Sequence, residues 1–230
     1  MKSNFHKFLL STCAALLLTS VQLYAQNTSY NVNFRPKNYA ANIETFKSKP
    51  ISKKDYVFLG NSITAGGNWS ALLGLPHAKN RGVSGDITFG VLDRLDEIIE
   101  GKPAKLFILI GINDVSRNIP NSLILKNYKE MISRVRKGSK KTQIYFNTLL
   151  PVNKSFAKFN NHYGKDQHIL WLNQEIKKLA AKNVTIIDLY PVFSDENQLL
   201  RAELTKDGLH LLPDGYKVWA EFLQRGGYLK

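Results

Sequence analysis

Residues 106–114 read Leu-Phe-Ile-Leu-Ile-Gly-Ile-Asn-Asp, in which five apolar residues run without a break into a glycine. A run of this length is typical of a strand that is covered on both faces of a parallel sheet. Asn113 and Asp114 follow the predicted strand end, and open parallel sheets bind ligands beyond the carboxyl ends of their strands. The stretch therefore predicts a buried strand with a polar site beside it.

Further apolar runs and helical stripes alternate along the chain on both sides of this stretch. Apolar runs predict strands at residues 56–59, 143–149 and 184–189, and a further, shorter strand is predicted around residues 78–80. Apolar residues at helical spacing predict helices over residues 91–99, 125–135, 169–179 and 213–224. Alternation of this kind favours an α/β fold with a mostly parallel central sheet and helices on both faces.

The first 50 residues are expected to lie outside the main domain. Lys2 and Lys7 precede a mostly apolar run over residues 8–21, and Ala25 supplies a small residue for cleavage. This pattern predicts a signal peptide over residues 1–25, too short for a comfortable membrane span. Residues 26–50 are polar and aperiodic and predict an N-terminal arm. Residues 51–230 then form one domain, secreted or periplasmic, without stable membrane insertion.

Cysteine content and charge narrow the possible chemistry. Cys13 is the only cysteine and would leave with the signal peptide, which excludes disulfides, thiol nucleophiles and Cys-ligated metals. The formal net charge of +14 falls to +12 without Lys2 and Lys7. The basic residues are scattered, and no nucleic-acid-binding motif is present, so we expect a solvated basic surface and no nucleic-acid partner.

Three residues have the side chains needed for nucleophilic catalysis. Ser62 follows the predicted strand at residues 56–59, and Asp207 precedes His210 by three positions near the last helix. A serine attacks a carbonyl when a histidine accepts its proton, and a carboxylate orients that histidine. Taken singly, Ser62 could instead cap a helix and His210 could be an ordinary surface histidine.

Attack on an ester also creates an oxyanion, which needs hydrogen-bond donors in place beforehand. The backbone N–H groups of Ser62 and Gly85 and the side-chain amide of Asn113 could supply three such donors. Gly85 could also be only a turn residue and Asn113 could make only a local Asx-turn. What points to a site is the joint placement of these residues, each after a predicted strand or, for Asp207 and His210, just before the last helix.

Four short blocks resemble those of the SGNH, or GDSL-type, hydrolase superfamily. They are residues 60–63 (Gly-Asn-Ser-Ile), 82–86 (Gly-Val-Ser-Gly-Asp), 111–114 (Gly-Ile-Asn-Asp) and 207–210 (Asp-Gly-Leu-His). The resemblance implies a three-layer α/β/α flavodoxin-like fold that uses no metal or cofactor. It implies Ser62 as nucleophile, His210 as base, Asp207 as its partner, and an oxyanion hole of Ser62, Gly85 and Asn113. Asn61 departs from the family pattern, which usually has Asp before the serine.

The blocks look most similar to small secreted carbohydrate O-acetylesterases, such as those acting on sialate, and to platelet-activating-factor acetylhydrolase-like members. This likeness implies an acetyl ester as substrate, carried by a small molecule or a glycan. Arg81 directly precedes the second block and Arg117 follows the third, and both are candidate contacts for a substrate carboxylate. Two alternatives remain, a lysophospholipase or thioesterase acting on longer acyl chains and, less favoured, a non-catalytic glycan-binding module.

Overall fold

The structure is a computed structural model that describes residues 30–230, so the predicted signal peptide lies outside the described residues. A five-stranded sheet forms its centre, and all neighbouring strands pair in parallel in the order β2-β1-β3-β4-β5. The strands are β1 (Tyr56–Gly60), β2 (Ala78–Gly82), β3 (Lys105–Leu109), β4 (Gln143–Asn147) and β5 (Val184–Ile187). All five predicted strands are present.

Helices flank this sheet, which confirms the predicted three-layer α/β/α architecture. They are α1 (Tyr39–Lys47), α2 (Ser62–Ala65), α3 (Trp69–Leu73), α4 (Thr88–Asp93), α5 (Leu95–Gly101), α6 (Ile112–Ser116), α7 (Asn121–Gly138), α8 (Asp166–Lys177), α9 (Tyr190–Phe193) and α10 (Pro213–Arg225). Helix α7 contacts α4, α5 and α8, whereas α10 contacts α3. In the described part of the chain, no helix is long and apolar enough to cross a membrane.

The central strands β1 and β3 are buried almost throughout, because both faces of the sheet carry large apolar side chains. All five residues of β3 are buried, as expected for the apolar run that begins at Leu106, and the buried part includes Lys105. On one face the Phe58 ring stacks on Phe107 at 4.6 Å and on Trp69 at 4.1 Å between ring centroids. Trp219 of α10 meets Trp69 edge-on at 4.8 Å. These stacked rings join the sheet to helices α3 and α10.

The N-terminal arm contains a helix that its sequence does not announce. Residues 26–50 show no helical periodicity, yet α1 forms within them and buries only one residue, Phe46. The helix is held from outside, because the Tyr39 hydroxyl donates to the Gly90 carbonyl at 2.6 Å. The guanidinium of Arg81 likewise donates to the Phe46 carbonyl at 3.3 Å. Tertiary contacts of this kind leave no periodic pattern in the sequence.

The helix predicted over residues 91–99 is interrupted at Arg94. Helices α4 and α5 meet at this residue, whose backbone adopts φ −109° and ψ 12°. The break lets the Arg94 side chain turn inward, where its Nε donates to Oδ2 of Asp86 at 3.0 Å. Both side chains are almost fully buried. A polar contact in the core therefore overrides the apolar periodicity.

Arg94 also connects the carboxyl ends of two strands. Its two terminal nitrogens donate to the carbonyls of Arg81 in β2, at 2.8 Å, and Gly60 in β1, at 3.0 Å. Burial raises the pKa of Asp86, and the adjacent Arg94 opposes that rise. A buried ion pair that also meets backbone carbonyls holds its surroundings in one arrangement, and removing one partner leaves an uncompensated charge.

We predict that Arg94→Gln lowers the free energy of unfolding by about 3–5 kcal/mol, because Asp86 is left buried without its cation. A carboxyl whose pKa is higher in the folded than in the unfolded state loses stability as pH rises through the folded pKa. The deficit should therefore be larger at about pH 8 than at about pH 5. Urea unfolding at both pH values measures it. In the control Arg225→Gln, an exposed pair is lost, and the change should stay below about 1 kcal/mol. Equal losses in both variants would contradict this prediction.

Candidate active site

Ser62 lies at the carboxyl end of β1, as the first residue of α2. The preceding Asn61 is the N-cap, and its Oδ1 accepts a hydrogen bond from the Ile63 N–H at 3.0 Å. The Asn at this position thus holds the turn through a side-chain bond to the backbone, as an Asp would. Gly60 lets the chain pass close to β3, since a Cβ there would lie 2.2 Å from the Leu109 carbonyl oxygen.

Ser62, His210 and Asp207 form a continuous hydrogen-bonded series. The Oγ of Ser62 lies 3.0 Å from Nε2 of His210. On the other side of the imidazole, Nδ1 lies 2.9 Å from Oδ2 of Asp207. Because a carboxylate can only accept, Nδ1 carries the ring proton and Nε2 presents its lone pair to the serine hydroxyl. This is the geometry that proton removal from Ser62 requires.

Asp207 stays ionised because hydrogen bonds outweigh its burial. Desolvation pushes the pKa of Asp207 up, but bonds from the backbone and side chain of His210 and from the Leu209 N–H bring it below its usual value. The backbone N–H groups of His210 and Leu209 donate to Oδ1 of Asp207 at 2.7 Å and 3.1 Å, respectively. The intervening Gly208 has φ +82°, and a Cβ there would lie 2.2 Å from the Asn153 carbonyl oxygen. Glycine is therefore needed inside this block.

Gly85 and Asn113 lie in the same cleft as Ser62. Gly85 has φ +82°, a conformation that residues with a side chain rarely adopt. Among residues 30–230 its N–H donates to no acceptor. The Asn113 amide nitrogen donates to the Asp86 carbonyl at 2.9 Å, which leaves its second proton unassigned. The structure thus brings together the five residues predicted for the triad and the oxyanion hole.

Asp114 is not part of the cleft lining and is fully buried next to Asn113 in the chain. Its carboxyl group is fully buried and accepts from both the N–H and the hydroxyl of Thr88, at the start of α4. Burial raises the pKa of Asp114 to about 7, although the bonds from Thr88 oppose this rise. Asn127 of α7 also donates to the Thr88 hydroxyl, at 2.7 Å. These bonds tie the block containing Asn113 to two neighbouring helices.

Two further residues of the site, Phe159 and His162, were not predicted, and they lie in the loop between β4 and α8. The Phe159 ring meets His210 at 5.1 Å and His162 at 5.8 Å between centroids, edge-on in both cases. Nε2 of His162 lies 3.3 Å from Oδ1 of Asn113. Their position in the sequence could have identified them, because this loop follows the carboxyl end of a predicted strand, where open parallel sheets bind ligands.

The two candidate substrate arginines have different surroundings, and the expectation for Arg81 was wrong. Arg81 is 2% exposed, pairs with Glu97 at 2.8 Å and donates to the Lys49 carbonyl at 2.5 Å. Its donors are occupied by the protein, so it cannot reach a substrate. Arg117 is exposed, and its guanidinium lies 3.3 Å from the centroid of the Phe34 ring.

The cleft around Ser62 has a volume of about 460 Å³ and a mixed lining. Besides Ser62, His210 and the oxyanion candidates, it includes Ser84, Lys206, Phe159 and Leu209. In residues 30–230, no group of three or more His, Cys, Asp or Glu side chains could hold a metal ion. A hydroxyl beside an oriented imidazole, with N–H donors nearby, can perform acyl transfer.

Known proteins share both the sequence pattern and the fold. Residues 58–218 match the GDSL-like Lipase/Acylhydrolase family. A solved protein from Streptococcus pneumonia, described as a platelet activating factor, is 27% identical, with a TM-score of 0.75 and coverage of 95% of this chain and 99% of that one. A GDSL-like lipase from Bacteroides thetaiotaomicron is 26% identical, with a TM-score of 0.67 and coverage of 85% and 97%.

A lipase/acylhydrolase from Enterococcus faecalis is 25% identical, with a TM-score of 0.61, and the alignment covers 75% of this chain and 94% of that one. Comparison with curated protein sequences gave no match. The family match spans most of the described residues and includes all four sequence blocks. The chain therefore belongs to the GDSL-like lipase/acylhydrolase family and is a carboxylic ester hydrolase.

Proposed function

We propose that the protein hydrolyses short-chain acyl esters, acetyl esters above all, through a Ser62–His210–Asp207 triad. The observation that carries this proposal is the pair of contacts at His210, 3.0 Å to the Ser62 hydroxyl and 2.9 Å to the Asp207 carboxylate. Ser62 is then the nucleophile, His210 the general base and Asp207 the residue that fixes the imidazole tautomer.

The reaction proceeds in two steps. Nε2 of His210 takes the hydroxyl proton as Oγ of Ser62 bonds to the ester carbonyl carbon, and the N–H groups of Ser62 and Gly85 with the Asn113 amide hold the oxyanion. Collapse breaks the bond to the alcohol, which leaves with the proton from His210. Water then gives a proton to His210 and attacks the acyl-enzyme, and release of the carboxylic acid returns the proton to Ser62.

The cleft lining favours a small acyl group. A long acyl chain gains binding free energy from an extended apolar surface, at about 0.8 kcal/mol per buried CH₂. Next to Ser62 the cleft instead presents mainly polar and small residues, and the large apolar side chains in its lining are those of Phe159 and Leu209. An O-acetyl group on a carbohydrate fits these surroundings, since the acyl part is small and the alcohol part polar. The lipase-type relatives make longer acyl chains the alternative.

The cellular location is also part of this proposal. The positively charged start and the apolar run before Ala25 support export and cleavage after residue 25. A periplasmic or secreted enzyme would meet acetylated glycans outside the cytoplasm. The basic composition suits acidic glycans in particular, because positive surface charge attracts negatively charged molecules that come within the screening length of the solution.

Replacing the nucleophile should abolish turnover. We predict that Ser62→Ala lowers kcat on p-nitrophenyl acetate by at least about 10⁴-fold, because among residues 30–230 no other hydroxyl contacts the imidazole of His210. Circular dichroism checks that the variant is folded. Ser133→Ala, which changes an exposed serine of α7, is the matched control and should retain wild-type kcat. Full activity in Ser62→Ala would refute the mechanism.

Acyl-chain length distinguishes the proposed function from its alternative. We expect kcat/KM to fall from p-nitrophenyl acetate to butyrate and further to octanoate, since the cleft lacks an extended apolar lining. Steady-state kinetics at equal concentrations of each ester measure the trend. A maximum at octanoate would support the lysophospholipase or thioesterase alternative. No turnover of any ester, with intact folding, would favour a glycan-binding module.

A further inference from the structure

A second groove adjoins the cleft around Ser62. It has a volume of about 350 Å³ and lies between α6 and the loop that carries Phe159. It shares Asn113, Phe159 and His162 with the first cleft, so a molecule bound there can extend to Ser62. Arg117 and Lys158 line only this second groove, and no carboxylate belongs to its lining.

Arg117 is an exposed residue whose guanidinium packs against an aromatic ring. Its guanidinium carbon lies 3.3 Å from the centroid of the Phe34 ring, a contact that restricts its motion. Within residues 30–230, neither Arg117 nor Lys158 forms a salt bridge. Burial lowers the pKa of His162 to about 4, and the charges of His210, Lys165 and Arg117 add to this effect, in that order, as expected for a positive local field.

We propose that this groove, between Arg117 and Lys158, binds a carboxylate on the alcohol part of the ester. A guanidinium binds a carboxylate through two parallel N–H bonds, and an arginine already stacked on an aromatic ring loses little freedom in doing so. The substrate class is then an O-acetylated acidic sugar. This inference rests on the proposed function and specifies its substrate.

A matched substrate pair tests the groove. We predict that the enzyme prefers an O-acetylated uronic acid to its uncharged methyl ester by about 10-fold in kcat/KM, the effect of one charge-assisted contact. Arg117→Gln should bring this ratio close to one, Lys158→Gln should lower it, and Arg225→Gln should leave it unchanged. Turnover of p-nitrophenyl acetate is measured in parallel for every variant.

The two proposals fail in different ways. If wild-type enzyme does not hydrolyse p-nitrophenyl acetate, the proposed function is wrong. If it does, but treats the charged and uncharged sugar esters alike, including no turnover of either, the carboxylate site is wrong. An unchanged preference in Arg117→Gln also overturns it.

A separate observation concerns the Asn113 side chain, which is anchored at both ends. Nδ2 donates to the Asp86 carbonyl at 2.9 Å, and Oδ1 lies 3.3 Å from Nε2 of His162. A carbonyl oxygen cannot donate, so Nε2 of His162 must carry the proton of this contact. Its Nδ1 is buried without a partner among the described residues, which fits a neutral ring that holds one proton.

We infer that His162 is a positioning residue that directs the Asn113 amide toward the oxyanion. With Oδ1 held by His162 and one Nδ2 proton held by Asp86, the second Nδ2 proton is the one left to donate. Without His162, the amide can rotate away from the cleft. The effect belongs to the transition state, where charge develops on the oxygen, and so appears in kcat rather than in KM.

We predict that His162→Leu lowers kcat on p-nitrophenyl acetate by about 10–100-fold with KM changed less than about 2-fold, since losing an oxyanion donor outright costs about 10²–10³. His162→Gln, which keeps a donor, should recover most of kcat. In an Asn113→Ala background, His162→Leu should have no further effect, because both changes remove one interaction. His168→Leu, at an exposed histidine of α8, is the control.

Two outcomes would overturn the role of His162. One is a kcat for His162→Leu within about 2-fold of wild type, and the other is full additivity with Asn113→Ala. If the wild-type enzyme does not hydrolyse p-nitrophenyl acetate at all, the proposed function is wrong instead. Thermal unfolding of each variant identifies changes that come only from misfolding.

Discussion

The buried ion pair between Asp86 and Arg94 is the contact on which the site depends. Its guanidinium bonds the carbonyls at the ends of β1 and β2, and the backbone carbonyl of Asp86 accepts the Asn113 amide. Gly85, next to Asp86, is thereby held beside Ser62. Charge buried at this depth is costly unless every donor finds an acceptor, and here the strand ends supply those acceptors. One ion pair therefore sets the positions of two oxyanion candidates.

The opposite wall of the cleft depends on the loop between β4 and α8. The Asn153 N–H donates to the Gly208 carbonyl at 2.8 Å, which ties the loop to the block that carries His210. Phe159 then packs edge-on against His210 and His162. The imidazole of His210 is thus supported by an aromatic ring on one side and by Asp207 on the other. Catalytic groups need such support, because small displacements lower the rate steeply.

Much of this architecture was predictable from local patterns. Four of the five strands were predicted because each contains an apolar run of the length that a buried parallel strand requires, whereas β2, with Lys79, Asn80 and Arg81, has no such run. The break at Arg94 was not predicted, because the residue lies in an apolar helical stripe and its partner Asp86 is known only from the fold. Helix α1 was missed for the same reason, since Tyr39 and Phe46 find their contacts on distant segments.

By itself, the sequence determined the alternation of strands and helices along the chain, the family blocks, and the residue types that carry the chemistry, including Ser62 and His210. These follow from local periodicity and from short motifs whose members lie close together in the chain. Only the tertiary structure decided that Arg81 is buried against Glu97 while Arg117 borders the site, and that His162 meets Asn113. Such contacts join residues far apart in sequence, and burial is a property of the packed chain rather than of any segment within it.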